Sequence, residues 1–314
     1  MQSRKSADTT CAMRRPLALL AVPALCLAVA AAATAGTTRD TAAWAKPQIK
    51  AVVKAGLMAD SVASFRGQDT LDQQALQSIV AGLNELFAAQ VAEPTYPTTT
   101  TTPTLPTTTL PTVPTTTLPP TTTVRTTLSA TQPTPWKLVN WKATDPAKAV
   151  TVTEFDRVLV NVLGLADAAK KIRVELQRVG LKPPARSGTE TVARLLGLRI
   201  NHPADQDDLE LLPDQPITRA EAAYSVAQVL GYDAGHRDWI EQAATAFVLP
   251  DLTPWQQQIL KTAVQYVGFP YVWAGTSPTT ETPAGVTAVG GFDCSGFVWR
   301  VYKLTSYADE GSLA

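Results

Sequence analysis

The sequence has few of the residues that most often carry chemistry. Its 314 residues include three cysteines and two histidines, and 17% of them are charged, which is below the usual quarter. Basic and acidic residues number 27 each, so no net field favours a nucleic acid or an anionic membrane surface. Three cysteines are too few for a disulfide framework, and no C-x-x-C pair could bind zinc. The composition therefore excludes a disulfide-rich scaffold, and it indicates no cofactor, no metal and no nucleic-acid partner.

The N-terminal residues have the pattern of a secretory signal peptide. Arg14 and Arg15 precede an apolar run over residues 16–33, and residues 33–35 read Ala-Thr-Ala. A basic region, an apolar region and an A-x-A site predict cleavage after Ala35, giving a signal peptide over residues 1–35. The competing interpretation is a membrane anchor, which the short, alanine-rich run and its non-basic flank disfavour. We expect a secreted chain without membrane contact after cleavage.

Residues 94–135 differ sharply in composition from the rest of the chain. They contain 21 threonines, 10 prolines and a single charge, Arg125, and they offer no apolar face. Such a stretch predicts a disordered, extended linker. In an exported protein its hydroxyl groups are candidate O-glycosylation sites, and a plain spacer is an equally good interpretation. The linker would separate residues 36–93 from residues 136–250, two parts that need not touch.

Apolar residues recur at helical spacing on both sides of this linker. The pattern predicts two helices within residues 44–87 and a mostly α module of short helices over residues 136–250, with no strand alternation of any length. Thr-x-x-Glu at 151–154 recurs at 218–221, and Thr-x-x-Gln at 70–73 is a weaker copy. Thr-x-x-Glu before an apolar run is also a capping box, which any helical protein can use repeatedly.

The second of these copies resembles a family signature. Residues 217–221 read Ile-Thr-Arg-Ala-Glu and are similar to the motif of S-layer homology repeats, helical units that hold exported proteins on cell-wall polysaccharide. The resemblance implies that Arg219 binds that anionic polymer, and that residues 36–93 and 136–250 are both S-layer-homology-like. The residue equivalent to Arg219 in the earlier copy is Val152. A divergent helical module held together by capping boxes is the competing interpretation.

The C-terminal residues 251–314 contain the candidate nucleophile. The spacing predicts a helix over 254–267 and another over 295–303, which places Cys294 at a helix start. The amides of a helix N-terminus favour a thiolate and can donate to an oxyanion, and Gly296 would leave room for a substrate backbone. On this chemistry alone, a reactive thiol and a buried small hydrophobe are equally good interpretations.

Two motifs around Cys294 favour the reactive thiol. Residues 266–276, Tyr-Val-Gly-Phe-Pro-Tyr-Val-Trp-Ala-Gly-Thr, and residues 291–298, Gly-Phe-Asp-Cys-Ser-Gly-Phe-Val, resemble the NlpC/p60 family of cell-wall cysteine peptidases. The resemblance covers about residues 254–304 and implies the first half of an α+β, papain-like domain. It further implies a secreted, cell-wall-associated bacterial peptidoglycan endopeptidase. The expected substrates are stem peptides, cut between D-glutamate and a diamino acid, and cell-wall polysaccharide is a further expected partner.

The same resemblance assigns roles to individual residues. It implies that Cys294 is the nucleophile and that Tyr271 lines the site and assists the oxyanion. It also implies that Asp293 and Ser295 contact the amine end of a stem peptide. Ala274 replaces the first glycine of the family's usual pair, which we expect to be a mild change. The long loop 277–291 could form a substrate rim.

A thiol nucleophile also needs a base, and none follows Cys294. A cysteine peptidase places an imidazole within hydrogen-bond reach of the thiol. The two histidines, His202 and His236, both precede Cys294, and we expect them to be exposed loop residues. The acidic residues of loop 205–210 lack calcium-loop spacing and are expected to be solvated.

The simplest explanation is a peptidase domain truncated before its sheet, which predicts an inactive 314-residue chain. The alternative function is a non-catalytic cell-wall-binding protein with a degenerate peptidase domain.

Overall fold

The computed structural model describes residues 42–92 and 139–303; the expected signal peptide and the Thr/Pro-rich linker lie outside these residues. The described residues are mostly helical, as the sequence predicts. The sheet they contain is a small antiparallel pair, β1 (Thr276–Ser277) and β2 (Gly291–Phe292). The α-helices of this part are α1 (Lys46–Lys54), α2 (Gln73–Ala92), α3 (Val152–Val162), α4 (Ala166–Arg178), α5 (Ser187–Leu195), α6 (Arg219–Leu230), α7 (Ala234–Ala246), α8 (Pro254–Ala263) and α9 (Cys294–Lys303).

Helices α2, α3 and α6 begin with the same kind of cap. Thr151 and Thr218 cap α3 and α6, and each hydroxyl oxygen accepts the backbone N–H three residues later at 3.2 Å, as their capping motifs predict. The third cap is Asp72, whose carboxylate accepts the N–H of Ala75 at 2.7 Å before α2. The predicted third copy at 70–73 is therefore two residues out of register. Aspartate caps a helix as well as threonine does, so the Thr-x-x-Gln pattern pointed to the wrong residue.

The residues just before these caps meet in a closed ring of backbone hydrogen bonds. Leu71 donates its N–H to the carbonyl of Ile217, Ile217 donates to Val150, and Val150 donates to Leu71, each at 2.9 Å. All three side chains are fully buried. The ring gives α2, α3 and α6 a pseudo-threefold arrangement. The sequence echo at 151–154 and 218–221 therefore reflects equivalent positions in three dimensions.

The helical segments on either side of the linker share one hydrophobic core, contrary to the expectation that they need not touch. The core joins buried residues of α1 and α2 to those of α3, α5, α6 and α7. Helix α1 packs against α6, just as α5 packs against α3. An amphipathic helix must bury its apolar face, and α1 does so on a helix that follows the linker. We call the described residues 42–92 and 139–250 the helical unit.

The chain that follows the linker returns to the helix that precedes it. The side-chain amide of Asn84 on α2 donates to the carbonyl of Val139 at 2.9 Å and accepts the Val139 N–H at 3.3 Å. Two turns earlier, Gln77 accepts the N–H of Ala143 at 2.9 Å. Gln73 accepts the N–H of Thr144 at 3.0 Å. The linker thus leaves from α2, and the chain after it is bound again along α2.

The C-terminal segment, described over residues 251–303, packs on the helical unit with a smaller core. Thr253 and Gln256 form the predicted capping box at the start of α8. Helix α8 ends earlier than predicted, because residues 264–266 tighten into a 3-10 turn before Gly268, whose φ is +96°. Val264 packs in a small cluster with residues at the end of α4. Among the described residues, we find no helix with the length and apolarity that crossing a membrane requires.

Candidate active site

The start of α9 is built around the carboxylate of Asp293. This carboxylate accepts the backbone N–H of Gly296 at 2.6 Å and the hydroxyl of Ser295 at 2.8 Å, as a helix cap does. The bond from Gly296 is the largest of several that hold the pKa of Asp293 below its usual range. The two residues expected to contact a peptide amine thus bond to each other. Cys294 follows as the first residue of α9, with its side chain exposed and not in a disulfide.

The two motifs of the C-terminal segment meet through a short backbone pairing. Val272 donates its N–H to the carbonyl of Phe292 at 3.2 Å, and Phe292 donates to Pro270 at 3.3 Å. This parallel bridge between Tyr271 and Phe292 puts Tyr271 close to the start of α9. Desolvation of Tyr271, followed by the charges of Cys294 and nearby carboxylates, raises its pKa. Tyr271 and Cys294 therefore lie close enough for the charge of one to affect the titration of the other.

Two small residues near Cys294 have roles that differ from the sequence expectations. A Cβ on Gly296 would lie 2.0 Å from the carbonyl oxygen of Gly275. The space at Gly296 is therefore used by the protein's own backbone, and the expectation that a substrate backbone occupies it is wrong. Ala274 has a φ of +57°, in the left-handed region that favours glycine. Its replacement of glycine therefore carries backbone strain and is not the mild change expected.

The loop between the two strands folds back on itself as a hairpin. Glu281 and Ala288 exchange backbone hydrogen bonds at 3.1 and 2.9 Å. The Glu281 carboxylate also accepts the N–H groups of Thr276 and Ser277, at 2.7 and 3.0 Å. The loop is thus held by its own contacts beside the site. The proposed role as a substrate rim stays a prediction.

Neither histidine forms a hydrogen bond with Cys294. His202 is 5% exposed, so the expectation of an exposed loop residue is wrong: its Nε2 lies 2.7 Å from a carboxylate oxygen of Glu221. Burial would lower the pKa of His202, but the hydrogen bond and charge of Glu221 outweigh burial and raise it. His236 is exposed, as predicted, and its Nδ1 lies 2.7 Å from Asp233. Each imidazole already has a carboxylate partner of its own.

The acidic loop is not uniformly solvated, which corrects another expectation. Asp205 and Asp208 are exposed, whereas Asp207 and Glu210 are 1% and 2% exposed. Glu210 accepts the backbone N–H of His202 at 2.6 Å, and burial raises its pKa to about 7. The sequence has no signal that separates the buried members from the exposed ones, because all four lie in one acidic run.

Among the described residues, no group of three or more potential ligands could hold a metal.

The sequence does not reveal that the helical unit buries several ionisable side chains. Asp156 on α3 is fully buried, and burial raises its pKa to about 7 against the opposing charge of Arg199. Glu190 on α5 is fully buried as well, and Thr153 donates its hydroxyl to it at 3.1 Å. Burial, the largest effect, also raises the pKa of Glu190. Asp156 occupies an ordinary helical position in the sequence, and only the packing of α3 on α5 reveals its burial.

Arg219, the candidate polymer-binding residue, has partners within the helical unit. It donates from Nε to the carbonyl of Phe65 at 2.9 Å and from a terminal nitrogen to the carbonyl of Met58. Its guanidinium also lies 5.0 Å from the centre of the Phe65 ring. Arg219 therefore tethers the loop between α1 and α2, and its role in polymer binding stays a prediction.

No protein-family model, no curated protein and no solved structure matches this chain.

Proposed function

We propose that the chain is an exported cysteine peptidase that acts on peptidoglycan stem peptides, the class that its two C-terminal motifs resemble. The observation that carries the proposal is the position of Cys294. It is exposed, it is the first residue of α9, and a backbone bridge places Tyr271 nearby. A thiol that only filled a core would be buried, so exposure favours the reactive interpretation over the structural one.

The proposed chemistry follows from the groups around the thiol. The Cys294 thiolate attacks the carbonyl carbon of a stem-peptide amide, and the backbone N–H of Cys294 and the Tyr271 hydroxyl donate to the oxyanion. The C–N bond then breaks, the leaving amine takes up a proton, and a thioester remains on Cys294. Water attacks the thioester, which releases the carboxylic acid and restores the thiol. The proposed target is the bond from D-glutamate to the diamino acid.

The proton transfers in this scheme need a base that His202 and His236 do not provide. Neither imidazole is hydrogen-bonded to Cys294: the Nε2 of His202 bonds to Glu221 and its Nδ1 is buried without a partner, and the Nδ1 of His236 bonds to Asp233. We therefore propose that the 314-residue chain can form the thioester with an activated ester, whose leaving group needs no proton. The same chain should not hydrolyse a stem-peptide amide, whose leaving amine needs one.

The test is the release of p-nitrophenol from a p-nitrophenyl ester of an acylated dipeptide. We expect a burst of about one equivalent per chain with no further turnover, since thioester formation accumulates before hydrolysis. Cys294→Ala should abolish the burst, and the matched variant Cys11→Ala/Cys26→Ala should keep it. A burst of equal rate in urea would show that the fold does not activate Cys294. That result would remove the nucleophile assignment.

The second candidate is a non-catalytic wall-binding protein with a degenerate peptidase segment. It is favoured by the positions of both histidines, since neither imidazole is hydrogen-bonded to Cys294: the Nδ1 of His202 is buried without a partner, and that of His236 bonds to Asp233. The same experiment separates the two. A folded chain that shows no burst but sediments with purified cell walls supports the binding protein, whereas a burst that depends on Cys294 supports the peptidase.

A further inference from the structure

Asp207 is a buried carboxylate of the helical unit that contacts the C-terminal segment. It lies in the 3-10 turn Ala204–Leu209, between α5 and α6, and is 1% exposed. One carboxylate oxygen accepts the backbone N–H of Trp273 at 2.9 Å, and the other is buried with no hydrogen-bond partner among the described residues. Burying a carboxylate is costly unless it is hydrogen-bonded, so the bond to Trp273 is its main compensation.

The hydrogen bond from Trp273 is one of two that hold the backbone next to Tyr271. The N–H of Val272 points toward α9 and donates to the carbonyl of Phe292 at 3.2 Å. The next residue, Trp273, lies in the turn that follows, and its N–H donates to Asp207 of the helical unit at 2.9 Å. This short segment is therefore held by the strand that leads into Cys294 and by Asp207.

Two arginines of the helical unit hold the residues just before this segment. Arg186 donates from Nε to the carbonyl of Val267 at 2.9 Å. Arg194 donates from one terminal nitrogen to the carbonyls of Gly268 and Phe269, both at 3.3 Å. The backbone from Val267 to the site is thus held by side chains that belong to the helical unit. This places the helical unit in contact with the candidate site itself.

We infer that Asp207 is a positioning residue of the candidate active site, which holds the segment of Tyr271 in the place where its hydroxyl can assist chemistry at Cys294. The inference rests on the proposed role of Cys294 as the nucleophile. It gives the helical unit a part in the reaction, in addition to any role in holding the protein on the wall.

The test compares two reactions of the same thiol. Acylation by the p-nitrophenyl ester passes through an oxyanion that Tyr271 would assist, whereas alkylation by iodoacetamide forms no oxyanion. We expect Asp207→Ala to slow acylation of Cys294 about fivefold, the worth of one hydrogen bond, and to leave alkylation unchanged. Asp207→Asn keeps an oxygen for the N–H of Trp273 and should acylate within about twofold of the wild type. The neighbouring exposed residue supplies the control, Asp208→Ala, which should change neither rate.

Tyr271→Phe provides a second check by a double-mutant cycle. If Asp207 acts through Tyr271, then Asp207→Ala should slow acylation no further in a Tyr271→Phe background. An additive loss would overturn the inference. So would equal acylation in Asp207→Ala and the wild type, or an Asp207→Asn variant as slow as Asp207→Ala.

Amide hydrogen exchange separates a failure of this inference from a failure of the proposed function. If the wild type gives no acylation, the nucleophile assignment fails, and Asp207 is judged by the exchange of the Trp273 amide. That amide should exchange faster in Asp207→Ala and stay protected in Asp207→Asn. Unchanged protection in Asp207→Ala would overturn the positioning role. Asp207→Leu, which has a similar shape, replaces Asp207→Ala if the alanine variant does not fold.

Discussion

The helical unit and the C-terminal segment differ in how much of their apolar surface they bury. The largest fully buried side chains, among them Phe65, Phe155 and Ile240, all belong to the helical unit. The C-terminal segment is about a third as long, has none of these, and exposes as many large apolar side chains as the helical unit does: Trp255, Trp273, Val298, Trp299 and Tyr302. The part of the chain with the more readable motifs is therefore the part with less core of its own. Its site is held in place by side chains of the other part.

The largest expected effect tests whether the helical unit is a single cooperative structure. Leu71→Ala removes a fully buried side chain from the backbone ring that joins the segments before and after the linker. We expect the free energy of unfolding to fall by about 2–5 kcal/mol, as for other buried leucines. Urea unfolding followed by circular dichroism should still show one transition. Val62→Ala, at a side chain that is 41% exposed, should change stability by less than about 0.5 kcal/mol.

Two separate transitions in Leu71→Ala would contradict this view. They would mean that residues 42–92 unfold independently of residues 139–250, as the composition of the linker suggests. The described residues would then form three parts: residues 42–92, residues 139–250 and the C-terminal segment.

The next effect is the pH dependence that the buried carboxyl groups give to the helical unit. The pKa of Asp156 rises from 3.8 to about 7 on folding, so the folded chain holds this proton between those values and the unfolded chain does not. The stabilisation is fully present below pH 4 and is lost as the pH rises through about 7. We expect the wild type to lose about 2–3 kcal/mol from this group between pH 5 and pH 8.

Asp156→Asn should flatten this profile, and Asp238→Asn, at an exposed position on α7, should not. The measurement is the midpoint of thermal unfolding across this pH range. Some dependence should remain in Asp156→Asn, because burial also raises the pKa of Glu210 to about 7. A wild-type midpoint that rises between pH 5 and pH 8 would contradict the prediction.

The smallest effect concerns the C-terminal segment. Ala274→Gly should relieve the strain of a φ of +57° and stabilise the chain by about 0.5–1 kcal/mol, after allowing for the greater flexibility of glycine in the unfolded chain. The matched variant Ala51→Gly lies at an exposed position on α1 and should destabilise by about the same amount. Thermal unfolding of both variants checks the opposite signs. Equal signs would mean that the strain at Ala274 is not significant.

The sequence predicts the features of this fold that depend on neighbours along the chain. The caps at Thr151 and Thr218, and the capping box at Thr253, are confirmed because each is formed within one helical turn. The start of α9 at Cys294 agrees closely with the prediction for the same reason.

Features that depend on distant partners could not be predicted. The sequence does not indicate that Glu221 bonds to the ring of His202, nor that Asp207 accepts a hydrogen bond from Trp273. These partners meet only when α5, α6 and the C-terminal segment pack together. The left-handed backbone at Ala274 belongs to a local turn, in which Gly275 donates its N–H to the carbonyl of Val272 at 3.0 Å. The site residues Tyr271, Asp293 and Ser295 were found through a resemblance, and the geometry adds their intramolecular partners.

The return of the chain to α2 changes what the Thr/Pro-rich stretch can do. A stretch that leaves from a helix and comes back to Asn84 on the same helix is an insertion within one unit, and it is not a tether between two. The entropy of closing such a loop costs only about 0.6 kcal/mol for each doubling of its length. The stretch can therefore lengthen or shorten with little effect on folding. Its length also leaves the spacing between Cys294 and the helical unit unchanged, because the contacts that join the two, such as Arg186 to Val267 and Asp207 to Trp273, do not involve the stretch.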